Sequence, residues 1–234
     1  MSHQRKASII ILALVLFSAL QSFAQESDLG SWNILNIRYR MNSSLSFFGE
    51  TQLRSLQFYD HFHYYEYKGG IQIEMNKQVS AALGLGSYQT YREGGDFVTP
   101  KNNDEFRLWP QISFHQSIGK LRVEHRYRSE FRFTSNGYRN RFRLRIGISY
   151  PLGKVKDGRQ PFQISANNEL FFTDKEPFFE RNRLLISGQY RPVKTLAFQA
   201  GYLHQFDYRI NDETGRDFLV LGIYIDLSSG KDEK

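Results

Sequence analysis

The chain has 234 residues, no cysteine, 31 Lys+Arg against 24 Asp+Glu, and a formal net charge of +7. That length suits one domain or one closed barrel, and the lack of cysteine excludes a disulfide framework and a thiolate metal site. Aromatic residues make up 15% of the chain while Pro occupies 6 positions, a profile of long strands with few breakers.

Residues 1–24 read as a cleaved export signal. Arg5 and Lys6 precede an apolar stretch from Ala7 to Leu20, and Ser22 and Ala24 satisfy a small-residue cleavage rule after Ala24. The stretch is shorter than the roughly 20 residues of a membrane-spanning helix. No later run is apolar enough to cross a bilayer as a helix, so residues 25–234 are expected to form a single domain that meets a membrane, if at all, with strands.

The remainder alternates with period two and not 3.6, the pattern of strands. In chain order the alternating segments are Ser31–Met41, Leu45–Phe58, Phe62–Glu74, Val79–Arg92, Glu105–Ile118, Leu121–Phe133, Arg139–Tyr150, Phe162–Thr173, Phe179–Tyr190, Leu196–Arg209 and Asp217–Leu227. Most exceed the five or six residues of an ordinary strand and fit the roughly 9 to 11 that a tilted strand needs to cross an outer membrane. Compact connections follow Met41, Met75, Ile118 and Tyr190, whereas longer or more polar ones lie at Glu93–Asn103, Asp174–Pro177 and Ile210–Arg216. Short periplasmic turns and longer outer loops are the habit of bacterial barrels, although Pro151–Pro161 is long on the short-turn side. Because single-chain bacterial barrels have even strand numbers, the expected fold is an antiparallel transmembrane up-and-down β-barrel of 10 or 12 strands.

Two neighbouring segments carry the clearest chemistry. Arg122, Glu124, Arg126, Arg128, Glu130 and Arg132 share one face of the first, with Leu121, Val123, His125, Tyr127, Phe131 and Phe133 on the other. Arg139, Arg141, Arg143 and Arg145 share one face of the second, opposite Phe142, Leu144, Ile146, Ile148 and Tyr150. An Arg facing lipid near the midplane costs roughly 2 to 4 kcal/mol, so in a membrane these arginines must point into the barrel. A soluble barrel or sandwich would show the same alternation with the charges in water. The membrane reading rests on strand length, loop asymmetry, the export signal, and aromatics toward strand ends (Tyr65, Phe106, Phe131, Phe133, Tyr150, Phe172, Tyr190, Phe198, Phe206 and Tyr208) that suit interfacial girdles.

The runs Val123–Phe133 (VEHRYRSEFRF) and Tyr138–Leu152 (YRNRFRLRIGISYPL), with Trp32 near the start and the closing Leu221–Leu227, resemble the uncharacterised domain-of-unknown-function family 2490. The resemblance covers most of the chain after the signal. It implies a small exported outer-membrane barrel of the kind found in Bacteroidota, and it implies no activity and no catalytic residue.

A turn centred near Asn136 sets Glu130 opposite Arg141, Arg128 opposite Arg143 and Arg126 opposite Arg145. One pair attracts and two repel. The excess charge is expected to meet Glu124, carboxylates of other strands such as Glu50, Glu66, Glu105, Glu169 and Asp207, or water and anions. The ten-residue cluster then reads either as a structural lattice filling a narrow barrel or as a positive constriction attracting small anions. Its other expected partners are outer-membrane lipid, lipopolysaccharide, and the barrel-assembly machinery during insertion.

Other chemistry reads weakly. His115-Gln-Ser117 with Glu124 or Glu130 resembles the His-x-Ser spacing of outer-membrane lipid deacylases, but the face assignment turns it inward at a short-turn end. His61, His63 and Asp60 form a weak metal cluster; His125 and His204 fall on the lipid face. Gly84-Leu-Gly86 and Gly94-Gly95 lack the helix a phosphate loop requires; Ser80, Ala82, Gly84 and Gly86 would leave room inside. Basic residues alternating along exported strands argue against nucleic acid. The sequence therefore points to a non-enzymatic outer-membrane barrel without metal or cofactor, structural or a small diffusion pore. An outer-membrane lipid hydrolase and a soluble periplasmic or secreted β-protein binding a lipid or sugar are the competing readings.

Overall fold

The computed structural model describes residues 29–208 and 214–229, so the export signal at residues 1–24 lies outside the described residues. Eleven strands follow one another: β1 (Gly30–Arg40), β2 (Leu45–Gln57), β3 (Asp60–Glu74), β4 (Val79–Arg92), β5 (Val98–Ile118), β6 (Leu121–Thr134), β7 (Gly137–Leu152), β8 (Phe162–Thr173), β9 (Phe179–Val193), β10 (Leu196–Asp207) and β11 (Thr214–Ser228). Each pairs with its sequence neighbours, and the sheet closes into a barrel. The shortest strand has 11 residues and the longest 21.

The barrel has eleven strands, not 10 or 12. An even number is needed only where the first and last strands close antiparallel. Here β1 lies parallel to β11, from Gly30 opposite Phe218 to Arg40 opposite Ser228, and antiparallel to β2 on its other side. With both edges of β1 paired, the barrel has no open strand edge to leave backbone groups unsatisfied. The parallel seam also puts Leu29 and Ser229 at opposite ends of the barrel.

The alternating segments fold as strands because each can give one face to the interior and the other to the outside. Local chemistry sets the turns. The Asn42 side chain accepts the backbone N–H groups of Ser44 (2.9 Å) and Leu45 (2.8 Å), and Asn76 accepts those of Gln78 (2.8 Å) and Val79 (2.9 Å). Both are side-chain mimics of a backbone turn. At the opposite end Gly137 takes φ +103°, a left-handed value open to glycine, and starts β7.

Loop lengths do not separate the two ends. The expected long loop Glu93–Asn103 contracts to residues 93–97 because β5 begins at Val98, opposite Arg92. The long connection at residues 153–161 sits at the end that holds the Asn42 and Asn76 turns. That end is called the turn end below, and the end holding residues 58–59, 93–97, 135–136 and 174–178 the loop end.

Inside, β1, β10 and β11 contribute an apolar cluster of Trp32, Leu203, Phe218 and Val220, with Ile34 and Leu185 packed against it. The space expected beside the small residues of β4 is occupied: the Trp109 indole lies over Gly84, where a Cβ would collide with the ring, and Lys68 fills the place beside Gly86. We expect Gly84→Val to destabilise the barrel by about 1–3 kcal/mol through overpacking, read as a lower urea midpoint for loss of heat-modifiable gel mobility.

Candidate functional site: the charged barrel interior

A cavity of about 760 Å³ lies inside the barrel and takes lining residues from all eleven strands. The β6–β7 register is the one the turn at Asn136 predicts: Glu130 faces Arg141, Arg128 faces Arg143 and Arg126 faces Arg145. Glu124, Arg126, Arg128, Arg132, Arg141, Arg143 and Arg145 line the cavity. Glu130 is fully buried behind them. Arg122 and Arg139 are exposed near the strand ends, and neither forms an ion pair among the described residues.

Glu130 is the most shared carboxylate. Arg141 donates to its Oε2 through Nε (2.8 Å) and Nη2 (2.5 Å), and Arg143 Nη1 donates to Oε1 at 2.7 Å. Arg128 lies 3.7 Å away and Arg107 4.0 Å. Four guanidinium groups around one carboxylate cannot all be compensated by it, and the remaining charge passes outward to other carboxylates. Glu169 accepts Arg143 Nε (3.1 Å) and Nη2 (2.8 Å) and also Arg126 Nη2. Glu105 accepts Arg107 Nε at 2.6 Å and Arg132 Nε at 2.5 Å. Across the barrel, Glu66 accepts Arg54 (3.0 Å) and Lys68 (2.5 Å), Glu50 pairs with Lys68, and Asp207 takes Arg181. The carboxylates proposed to absorb the excess are thus all engaged, three of them directly with the β6–β7 arginines.

Two groups of residues were missed by reading single strands. Glu180 accepts Arg141 Nη1 at 2.9 Å and lies 3.4 Å from Arg132. Strict alternation hides it, because Phe171 pairs with Arg181 while Phe172 pairs with Phe179, leaving Glu180 as the extra residue of a β-bulge. The other group is aromatic. The guanidinium of Arg54 lies 3.4 Å from the Trp32 ring centre and 4.0 Å from that of Tyr64, Arg107 lies 3.6 Å from Tyr88, and Arg128 lies 3.9 Å from Trp109. Arg143 and Arg183 flank Phe171 at 4.6 and 4.8 Å. Each ring covers a guanidinium face that cannot hydrogen-bond. The signal was present in the inward parity of these aromatics, but aromatic residues fit either face of a strand.

Burial is uneven along the axis. Phe171, Glu130, Val220 and Trp109 are 0–2% exposed. Toward the turn end, the side chains of Arg145, Glu124 and His115 are 28%, 30% and 41% exposed. The packed layer lies in the loop-end half of the strands, and the cavity lining runs from Glu93, Asn103 and Arg216 near the loops to Gln72, Glu74 and Ser80 near the turns.

The histidines fall into separate settings. His115 Nε2 is 3.4 Å from Ser80 Oγ, and its Nδ1 is 3.9 Å from Glu124, which Arg145 engages. Ser117 instead faces Arg122 in the ladder. His61 pairs with Asp60 at 3.2 Å. On the outer face, His204 Nδ1 is 2.7 Å from Asp217, which also accepts the Tyr202 hydroxyl at 2.5 Å.

Replacing Glu130 by Gln should cost about 3–5 kcal/mol, since it leaves Arg141 and Arg143 with an uncompensated buried charge. The double variant Glu130→Gln/Arg141→Gln should recover part of that loss through coupling, measured by urea unfolding at constant lipid.

Comparison of the sequence with curated proteins returns no match. A family model described as a protein of unknown function, DUF2490, matches residues 29–216, the span from the first strand into the last. With most of its length matched across the barrel just described, the chain belongs to the DUF2490 family.

Proposed function

We propose that the chain is a non-enzymatic outer-membrane β-barrel, exported by residues 1–24, whose loop-end half is closed by a charge and aromatic layer and whose turn-end half is an open, positively charged vestibule. One observation carries the reading: the barrel is apolar outside and charged inside. Leu144, Ile146 and Ile148 are 39%, 55% and 44% exposed on the outer wall, while Glu130 and Arg141, on adjacent strands, are buried within it. Exposed apolar side chains continue around the wall, among them Leu35 and Ile37 on β1, Leu83 and Leu85 on β4, Ile112 and Phe114 on β5, Leu184 and Ile186 on β9, and Ile223 on β11. In water such a surface would be a very large contiguous apolar patch, well beyond what soluble monomers carry. In hydrocarbon it is the favourable one, and strands of at least 11 residues are long enough to cross. Phe106, Phe133, Tyr150, Tyr190 and Phe198 are outward and exposed, as girdle residues require.

The layer of Glu130, Trp109 and Phe171 favours a structural or binding barrel over a free diffusion pore. Small barrels fill with side chains, and here the filling is tied by ion pairs from several strands.

The protein is expected to fractionate with the outer membrane and to need detergent for release; recovery in the periplasmic fraction without detergent would refute the membrane reading. Ile146→Arg, at mid-strand on the outer wall, should lose about 2–4 kcal/mol in phospholipid bilayers, against at most about 0.5 kcal/mol at an exposed site of a water-soluble protein. In planar bilayers the wild type should show no steady conductance, and sustained ohmic current would replace the closed barrel with a pore.

A further inference from the structure

The turn-end vestibule has an unbalanced place in its wall. Arg126 and Arg145 lie directly opposite each other on β6 and β7. Like charges in that position repel. Each makes its only side-chain bond, among the described residues, through Nη2: Arg126 to Glu169 and Arg145 to Glu124. In both, Nε is buried and has no acceptor. The Arg126 side chain is only 10% exposed, so this unmet donor sits in the wall and not on a solvated rim.

The next inward-facing rung does not relieve the imbalance. It opposes Arg128 to Arg143, so four arginines occupy two successive inward-facing rungs. Their carboxylates are Glu124, Glu169 and Glu130, and Glu130 is shared with Arg141. Ser113, His115, Asn167 and Tyr224 line the same cavity and supply polar groups around it. Ser113 faces Arg126 and His115 faces Glu124 across β5–β6.

We propose that this place binds one small oxyanion, a phosphate group, held between the guanidinium groups of Arg126 and Arg145. An oxyanion there would convert a repulsive cross-strand pair into a bridged one. Each guanidinium has unused N–H donors in a planar fork that matches two oxygens of a phosphate. A partly enclosed wall strengthens the attraction relative to bulk water. The proposal rests on the reading of the vestibule as open at the turn end and does not depend on which membrane holds the barrel.

The test is calorimetric titration of inorganic phosphate into the full chain in neutral detergent micelles. Saturable binding at one site per chain is expected, weakened at least tenfold by Arg126→Gln and by Arg145→Gln. Arg145→Lys, which keeps the charge but loses the fork, should fall between. Arg139→Gln, exposed at a strand end outside the cavity, should bind as the wild type does. Heat-modifiable gel mobility verifies that each variant remains a folded barrel. Repeating the titration with phosphatidylglycerol in the micelles separates the sources: competition assigns the site to lipid headgroups, an unchanged isotherm to free phosphate solutes. Absence of saturable heat in the wild type, or wild-type affinity in both glutamine variants, overturns the site. Fractionation and conductance, which read the membrane and the closed layer, are unaffected by that result.

Discussion

Glu130, buried among Arg141, Arg143, Arg128 and Arg107, is the interaction on which the rest of the interior depends. A carboxylate withdrawn from water is tolerable only with close cationic partners. Meeting that demand draws guanidinium groups from β5, β6 and β7 to one point. Arg107, Arg143 and Arg141 among them also engage Glu105, Glu169 and Glu180 from β5, β8 and β9. The network thus joins strands that are not neighbours in the sheet and holds the wall at several heights. Backbone ladders fix which strands are adjacent; the charges fix how the enclosed space is filled.

Aromatic rings do what carboxylates cannot. There are more inward cations than inward carboxylates, and the faces of Arg54, Arg107, Arg128 and Arg183 are covered by Trp32, Tyr88, Trp109 and Phe171. Stacking shields a guanidinium face while leaving its edge free to donate. Room for the Trp109 indole comes from Gly84, where a side chain would collide with the ring. This filling is concentrated toward the loop end. At the turn end, Arg126 and Arg145 retain unmet donors beside open space. The interior therefore combines an internal packed layer with a charged wall that retains free donors.

The seam shapes topology in the same physical way. A barrel must pair every strand edge, and an odd strand number can do so only through one parallel contact. The β1–β11 contact meets that need across eleven register positions, from Gly30–Phe218 to Arg40–Ser228. The middle of its inner side is apolar, with Trp32, Phe218 and Val220 packed together, while Asn36, Arg38 and Arg216 line the cavity to either side. The interior thus joins a small apolar cluster at the seam to the ionic lattice, with the Trp32 ring stacked on Arg54 and Arg183 between them.

Alternation along the chain was enough to locate eleven strand segments, the residues that share each face, and the β6–β7 register, because a period of two and a turn at Asn136 are local properties. The strand total required the tertiary structure: whether the first strand meets the last in a parallel pair depends on closure, which no local pattern encodes. Loop lengths misled for a related reason, since Val98–Asn103 becomes strand only when it finds β4 as a partner. Glu180 lay hidden because a bulge shifts parity by one. Which carboxylate holds which arginine, and which rungs are left short, was decided by how strands distant in sequence approach across the enclosed space. That approach is a property of the closed barrel, not of any strand within it.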